Sequence, residues 1–220
     1  MKKMFTFRSL IHSILFFTVS ISLFSCISMS TMQTARTTPK GEGGVGIALG
    51  FISTDFAMGS LDTAEITAPI LEIGGRFGIA DNWDAGARIS IIGTSVIDTK
   101  YQLIGDHESL FAASVGLGLG YLKITQDETV SKIFDINVPV YLSLHPTPWF
   151  SLYACPKYVF RINSYSNAEE SGSSNSSWYG ATTGIRLGKK VGFNLEYSTF
   201  RNSETDLPFS QVTGGVTINF

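Results

Sequence analysis

The sequence predicts an all-β protein, a closed antiparallel up-and-down transmembrane β-barrel of ten strands, and three observations carry that prediction. Apolar residues recur at every second position from Gly43 to Phe220, in ten successive runs, which is the period of strands with one apolar face. The 220 residues are 44% hydrophobic and only 15% charged, with 22 glycines and a mean hydropathy of +0.18, whereas soluble domains carry about 25% charge. Yet the only long apolar stretch, Leu10 to Phe24, is shorter than the roughly 20 residues a membrane-spanning helix needs. A polytopic helical membrane protein is therefore excluded. So is a disordered chain, because 16 Phe, 8 Tyr and 3 Trp with a net charge of -2 are the opposite of the composition that stays unfolded.

Residues 1–25 have the layout of an export signal: Lys2, Lys3 and Arg8 precede the apolar run, and small residues follow it. The run ends in Leu23-Phe24-Ser25-Cys26, which resembles the lipobox of bacterial lipoproteins except that Phe24 stands where a small residue is usual. An ordinary secretory signal with a chance cysteine is the alternative. The resemblance implies cleavage before Cys26, acylation of its thiol and handling by the lipoprotein-processing enzymes. With Ser28 in place of a retention aspartate, it also implies delivery to the outer membrane. Without its 25 signal residues the chain keeps 195, and the loss of three basic residues moves the net charge to -5, which argues against a nucleic-acid partner. Only Cys155 then remains as a free thiol. Residues 26–42, rich in Ser, Thr and Met and without a period, read as a lipidated N-terminus and a flexible periplasmic tether. The barrel occupies 43–220.

The runs follow in order. Val45, Ile47, Leu49 and Phe51 alternate with Gly44, Gly46, Ala48 and Gly50. Leu71, Ile73, Phe77 and Ile79 oppose Glu72, Gly74, Arg76 and Gly78; Ala85, Ala87, Ile89 and Ile91 oppose Asp84, Gly86, Arg88 and Ser90. A short fourth run, from Asp98 to Gly105, sets Tyr101 and Leu103 against Lys100 and Gln102. The fifth, Phe111 to Tyr121, has glycine at three polar-face positions, each costing about 1 kcal/mol in a helix. The sixth to tenth keep the pattern, with Asp135, Lys157, Arg161, Arg186 and Glu196 on the polar faces. If the short fourth run and a neighbour fail to pair, eight strands result. A soluble sandwich also alternates, but its apolar face needs large side chains meeting in a core. Here the polar face is crowded with small residues and isolated charges, as a narrow barrel interior requires, while the bulky face suits lipid.

Connections after even runs are tight turns, at Ala80–Asn82, Gly105–Glu108, Pro146–Pro148 and Gly188–Lys190. Those after odd runs read as longer surface loops, at Ser53–Ile66, Thr125–Val130, Asn163–Ser177 and Arg201–Leu207; the exception is the short connection near Ser95–Ile97. Aromatic residues sort toward two girdles. Phe77, Trp83, Trp149, Phe193 and Phe220 fall at the turn end; Phe51, Tyr121, Phe160, Trp178, Tyr179 and Phe200 fall at the loop end. Over residues 43–220 the chain resembles the bacterial outer-membrane β-barrel proteins, with no functional family picked out. Val212, Val216, Ile218 and Phe220 resemble the C-terminal signal read by the barrel-assembly machinery. The resemblance implies outer-membrane lipid and that machinery as partners.

Chemistry is sparse. Gly41–Gly46 is glycine-rich, but no strand precedes it and no helix follows, so it is not read as a phosphate loop. His107 and His145 lie at the turn end, and no metal site, cofactor or catalytic constellation is expected; the protein reads as a non-enzyme. The most specific constellation is the set of polar-face charges Glu72, Arg76, Arg88, Lys100, Asp135, Lys157, Arg161, Arg186 and Glu196. Lone charges in a dry lumen are costly, so they are expected to pair across strands and plug the barrel. The alternative is a narrow, weakly anion-selective pore. The acidic, serine-rich segment Asn163–Ser177 is the candidate for surface interaction with an unidentified ligand.

Overall fold

The computed structural model describes residues 28–58, 62–126, 129–167, 170–205 and 208–220. The expected signal sequence and Cys26 lie outside the described residues. Ten strands run β1 (Gly43–Met58), β2 (Asp62–Ala80), β3 (Trp83–Ser90), β4 (Ser95–Ile104), β5 (Phe111–Gln126), β6 (Thr129–Thr147), β7 (Phe150–Ser166), β8 (Ser171–Leu187), β9 (Val191–Asn202) and β10 (Pro208–Asn219). Each pairs antiparallel with its sequence neighbours, and β1 pairs with β10 to close the barrel. No described helix is long and apolar enough to cross a membrane. At the seam the Gly43 and Phe220 amides and carbonyls exchange hydrogen bonds of 2.8 and 2.9 Å, so no free sheet edge is left to face lipid.

Parity decides what each side chain meets. Leu49, Ile73, Leu117, Leu195 and Val212 point outward and are about half exposed, while Asp84, Lys100, Asp135, Lys157 and Glu196 point inward and are buried. Parity also corrects two girdle residues. Phe200 shares the inward face of β9 with Glu196 and Ser198, and Trp178 is likewise buried. Both join Met29, Ile52, Ile70, Val159 and Phe209 in an apolar cluster inside the loop-end half of the barrel.

Three expected surface loops are strand over most of their described residues. β1 and β2 stay paired to Met58↔Asp62, β5 and β6 to Gln126↔Thr129, and β7 and β8 to Ser166↔Ser171. Beyond the apolar band both faces of a hairpin meet water, so no alternation marks it, while its backbone hydrogen bonds continue. The β3–β4 connection is short, closed by Ser90 N→Thr94 O at 2.9 Å with Gly93 at φ +88°.

The segment expected as a flexible tether departs most from its reading. Residues 28–38 lie within the barrel, and Lys40 forms a bridge to Gly78 at the turn end. Ser28, Met29, Ser30, Thr31, Ala35 and Thr37 are all buried. This thread is enclosed by wall on every side, mostly polar but apolar around Met29 and Ala35, which is why its sequence shows neither a period of two nor one of 3.6.

Candidate functional site

The lumen is organised around the thread, whose partners come from nine of the ten strands. Ser28 and Ser30 hydroxyls donate to Glu72 on β2 (2.8 and 2.5 Å), and the Met29 amide donates to Gln211 on β10 (2.9 Å). The Met29 carbonyl accepts from Lys157 on β7 (2.9 Å) and Thr182 on β8 (3.0 Å), and the Ser30 carbonyl from Arg88 on β3 (2.6 Å). Glu196 on β9 accepts the amides of Thr31 (2.9 Å) and Met32, as well as the Tyr153 hydroxyl (2.8 Å). Further down, Lys100 on β4 donates to the Thr34 and Arg36 carbonyls (both 2.9 Å). Ser143 on β6 accepts the Ala35 amide (3.1 Å), and Ser114 on β5 donates to the Ala35 carbonyl. Thr37 and Thr38 amides reach Gln102 (2.9 Å) and Asp84 (2.8 Å). The thread thus satisfies the backbone groups that a buried extended segment must satisfy.

Cross-strand ion pairs complete the wall. Arg161 holds Asp135 through two bonds of 2.9 and 2.8 Å, and Arg76 bridges Asp84 (2.7 Å) and Asp98 (2.5 Å). Lys100 and Asp84 approach to 3.6 Å, and Arg88 and Glu72 to 3.7 Å. Of the nine charges singled out in the sequence, Lys157 and Glu196 take their hydrogen bonds from the thread and from Tyr153 rather than from an opposite charge. Arg186 makes no hydrogen bond or ion pair to any described residue. The set of lumenal charges singled out in the sequence did not include Asp84 or Asp98, nor the neutral Gln102, Ser143, Thr182 and Gln211, although all six have inward parity, Asp98 in phase with Lys100 and Gln102. The thread carried no comparable signal. Val212 and Ile218 of the expected assembly signal lie on the exposed outer face of β10, and Phe220, just past its end, is exposed as well.

At the turn end His145 is held between the Ser143 and Ser151 hydroxyls at 2.8 and 2.7 Å. Beside the thread in that half is a cavity of about 1030 Å³, lined among others by Arg36, Arg88, His145 and Arg186. The neighbouring turn is self-braced. Asp106 accepts the amides of Glu108 (2.8 Å) and Ser109 (2.7 Å) and the Ser109 hydroxyl (2.8 Å), which holds its carboxyl below the usual carboxylate range. The Ser109 carbonyl in turn accepts from Arg36 at 2.6 Å.

A family model described as outer membrane protein beta-barrel domain matches residues 22–220. The chain belongs to that family. As an outer membrane protein β-barrel domain it sits in the bacterial outer membrane, and by the architecture of such barrels the short-turn end faces the periplasm. No curated protein matches the chain. Among solved structures, the outer membrane protease OmpT from Escherichia coli is similar over 88% of this chain and 100% of its own, at 12% identity and a TM-score of 0.51. Ail, the attachment invasion locus protein of Yersinia pestis, aligns with 81% of this chain and 99% of its own (12% identity, TM-score 0.39). Neisserial surface protein A aligns with 82% and 100% (13% identity, TM-score 0.42). At these identities the likeness concerns the fold alone.

Proposed function

We propose that this outer membrane protein β-barrel domain is a non-catalytic, closed barrel with a structural or surface-interaction role, its lumen filled by its own N-terminal segment. The observation that carries the reading is the thread, tied to nine strands and topped by the apolar cluster of Met29, Ile52, Ile70, Val159, Trp178, Phe200 and Phe209. A water-filled path has no reason to gather those side chains, and ten strands enclose little space once they are inside. The Ser–His pair at the turn end is used for structure, since both ring nitrogens of His145 and the Ser143 hydroxyl are already occupied. Surface interaction falls to the loop-end hairpins, above all the polar β7–β8 extension from Asn163↔Ser174 to Ser166↔Ser171.

Planar-bilayer recordings test the closed lumen. The intact chain is expected to give no channel events, and a variant lacking residues 28–38 to give discrete ones. Steady conductance of the intact chain would instead favour a narrow, weakly anion-selective pore, the reading to which the cationic lining of the turn-end cavity lends support.

We extend the proposal to acylation at Cys26, in line with the Leu23–Cys26 motif. The thread bears on which leaflet could hold that lipid. Ser28 bonds Glu72 and Gln211, and Gln211 is most of a membrane crossing up β10 from Phe220. Two residues reach at most about 7 Å, so a lipid in the periplasmic leaflet and Ser28 in the lumen exclude one another. Intact-mass spectrometry of the purified protein reports acylation, and a mature mass without acyl chains removes this part of the reading.

A further inference from the structure

The turn-end cavity is lined by two arginines that form no ion pair with any described residue, Arg36 and Arg186, with Lys189, Glu42 and Glu108 also in its lining. Three of its neighbours are matched: Arg76 by Asp84 and Asp98, Arg88 by Glu72, and Lys100 by Asp84. Arg36 is not. Its Nη2 donates to the Ser109 carbonyl, and its buried Nε has no partner. Asp106 attracts it from the neighbouring turn without closing an ion pair with it, and Oδ1 of that carboxylate is taken by Glu108 and Ser109. Arg186 is not matched either: it lines the cavity and makes no hydrogen bond or ion pair to any described residue.

Both arginines line this one cavity, and a chain of contacts links the segments that carry them. Ala35 is tied to Ser143, Ser143 to His145, and His145 to Ser151. Ser151 stands directly opposite Arg186 in the β7–β8 register. Arg36 follows Ala35 in the thread, so the contacts through His145 connect the backbone position of one arginine with that of the other. Arg186 keeps its position because Gly192 on β9 leaves it room: a Cβ at Gly192 would lie 2.6 Å from its Nη2. Two guanidinium groups without an ion-pair partner, one of them held over a glycine, supply fork-shaped donors of the kind that bind multiply accepting oxyanions.

We propose that this periplasm-facing pocket binds a small oxyanion, a phosphate group or short dicarboxylate, between Arg36 and Arg186. The site rests on the orientation of the barrel and not on whether the lumen conducts, so bilayer recordings and ligand binding fail or succeed separately. The apolar cluster at the loop end makes the pocket blind, which suits retention of a solute rather than its passage.

Calorimetric titration of the full mature chain, folded in detergent micelles, tests this with inorganic phosphate, succinate and chloride. Phosphate or succinate is expected to bind with 1:1 stoichiometry and chloride at least tenfold more weakly; the stronger of the first two names the ligand class. Arg186→Gln and Arg36→Gln should each weaken binding at least tenfold. Gly192→Val, which displaces the Arg186 guanidinium without removing its charge, should weaken it as well, and Lys189→Gln at the rim should change it less than threefold. Heat-modifiable gel migration checks that each variant is folded; if Arg186→Gln is not, Arg186→Lys takes its place and is expected to bind about tenfold more weakly. Absence of binding at millimolar phosphate and succinate, or binding indifferent to the Arg36 and Arg186 substitutions, overturns the proposal.

Discussion

Glu196 sits where the thread turns left-handed. Met32 has φ 54°, and that conformation points the successive amides of Thr31 and Met32 at one carboxylate, a small concavity of N–H groups suited to an anion. Glu196→Ala would leave both amides and the Tyr153 hydroxyl buried without an acceptor, at about 1–3 kcal/mol for each group left unmade. We expect a loss of several kcal/mol in urea unfolding, with Glu196→Gln intermediate because one oxygen still accepts. An alanine variant as stable as the parent would show that the thread is not held there. Asp106 offers a pH test outside the membrane. Its carboxyl is lowered by the Ser109 hydroxyl and then by the Glu108 and Ser109 amides. The bracing is therefore complete above the ordinary carboxylate pKa and is lost as pH falls through the lowered value. NMR titration should find Asp106 ionising below an unstructured aspartate, and Asp106→Asn should abolish the pH dependence of the neighbouring amide shifts.

The turns differ in what they demand. Gly188 (φ +103°) and Gly93 (φ +88°) both occupy backbone that favours glycine, but a Cβ at Gly188 would run into the Val191 carbonyl, whereas at Gly93 it meets only Leu122 Cδ1 at 3.6 Å. Gly93→Ala is expected to cost about 1 kcal/mol and Gly188→Ala more, at the upper end of the roughly 1–3 kcal/mol such positions carry; urea midpoints of the two variants give the order. The same elements show where sequence reading works. Leu117, Leu119 and Tyr121 against Gly116, Gly118 and Gly120 fix a strand and its lipid face, because one side must be greasy and the other small. Ser171–Ser177 carries no such contrast, since water wets both sides of that hairpin, and it read as loop. Residues 28–38 were illegible for the opposite reason: they are enclosed on all sides, by Glu72, Lys100, Ser143, Lys157 and Glu196 and by apolar contacts at Met29 and Ala35, and a segment with no exposed face leaves no periodic trace. Phe200 and Trp178 were misassigned by residue type when parity alone placed them inside.

Across the whole molecule, the lumenal charges make sense only when wall and thread are taken together. Lys157 and Glu196 lack opposite charges on neighbouring strands because peptide groups of the thread serve instead. The thread's position can be trapped chemically. The Thr31 side chain lies beside the buried Cys155, so Thr31→Cys is expected to form a disulfide with Cys155 on mild oxidation of the folded barrel. The mass should fall by two hydrogens, and the free-thiol signal should vanish until reductant is added. Two persistent free thiols in a barrel that still shows heat-modifiable migration would mean that the segment lies elsewhere.

The thread continues through Pro39 and Lys40 directly into β1, and β1 meets β10 only once the final strand is in place. In a chain made from its amino end, the filling therefore exists before the container. Each hairpin added after β1 brings its own inward polar groups to a backbone that is already waiting for them. Closure at Gly43 and Phe220 then becomes the act of sealing a wall around contents the same chain has supplied, and the order of synthesis is built into the finished interior.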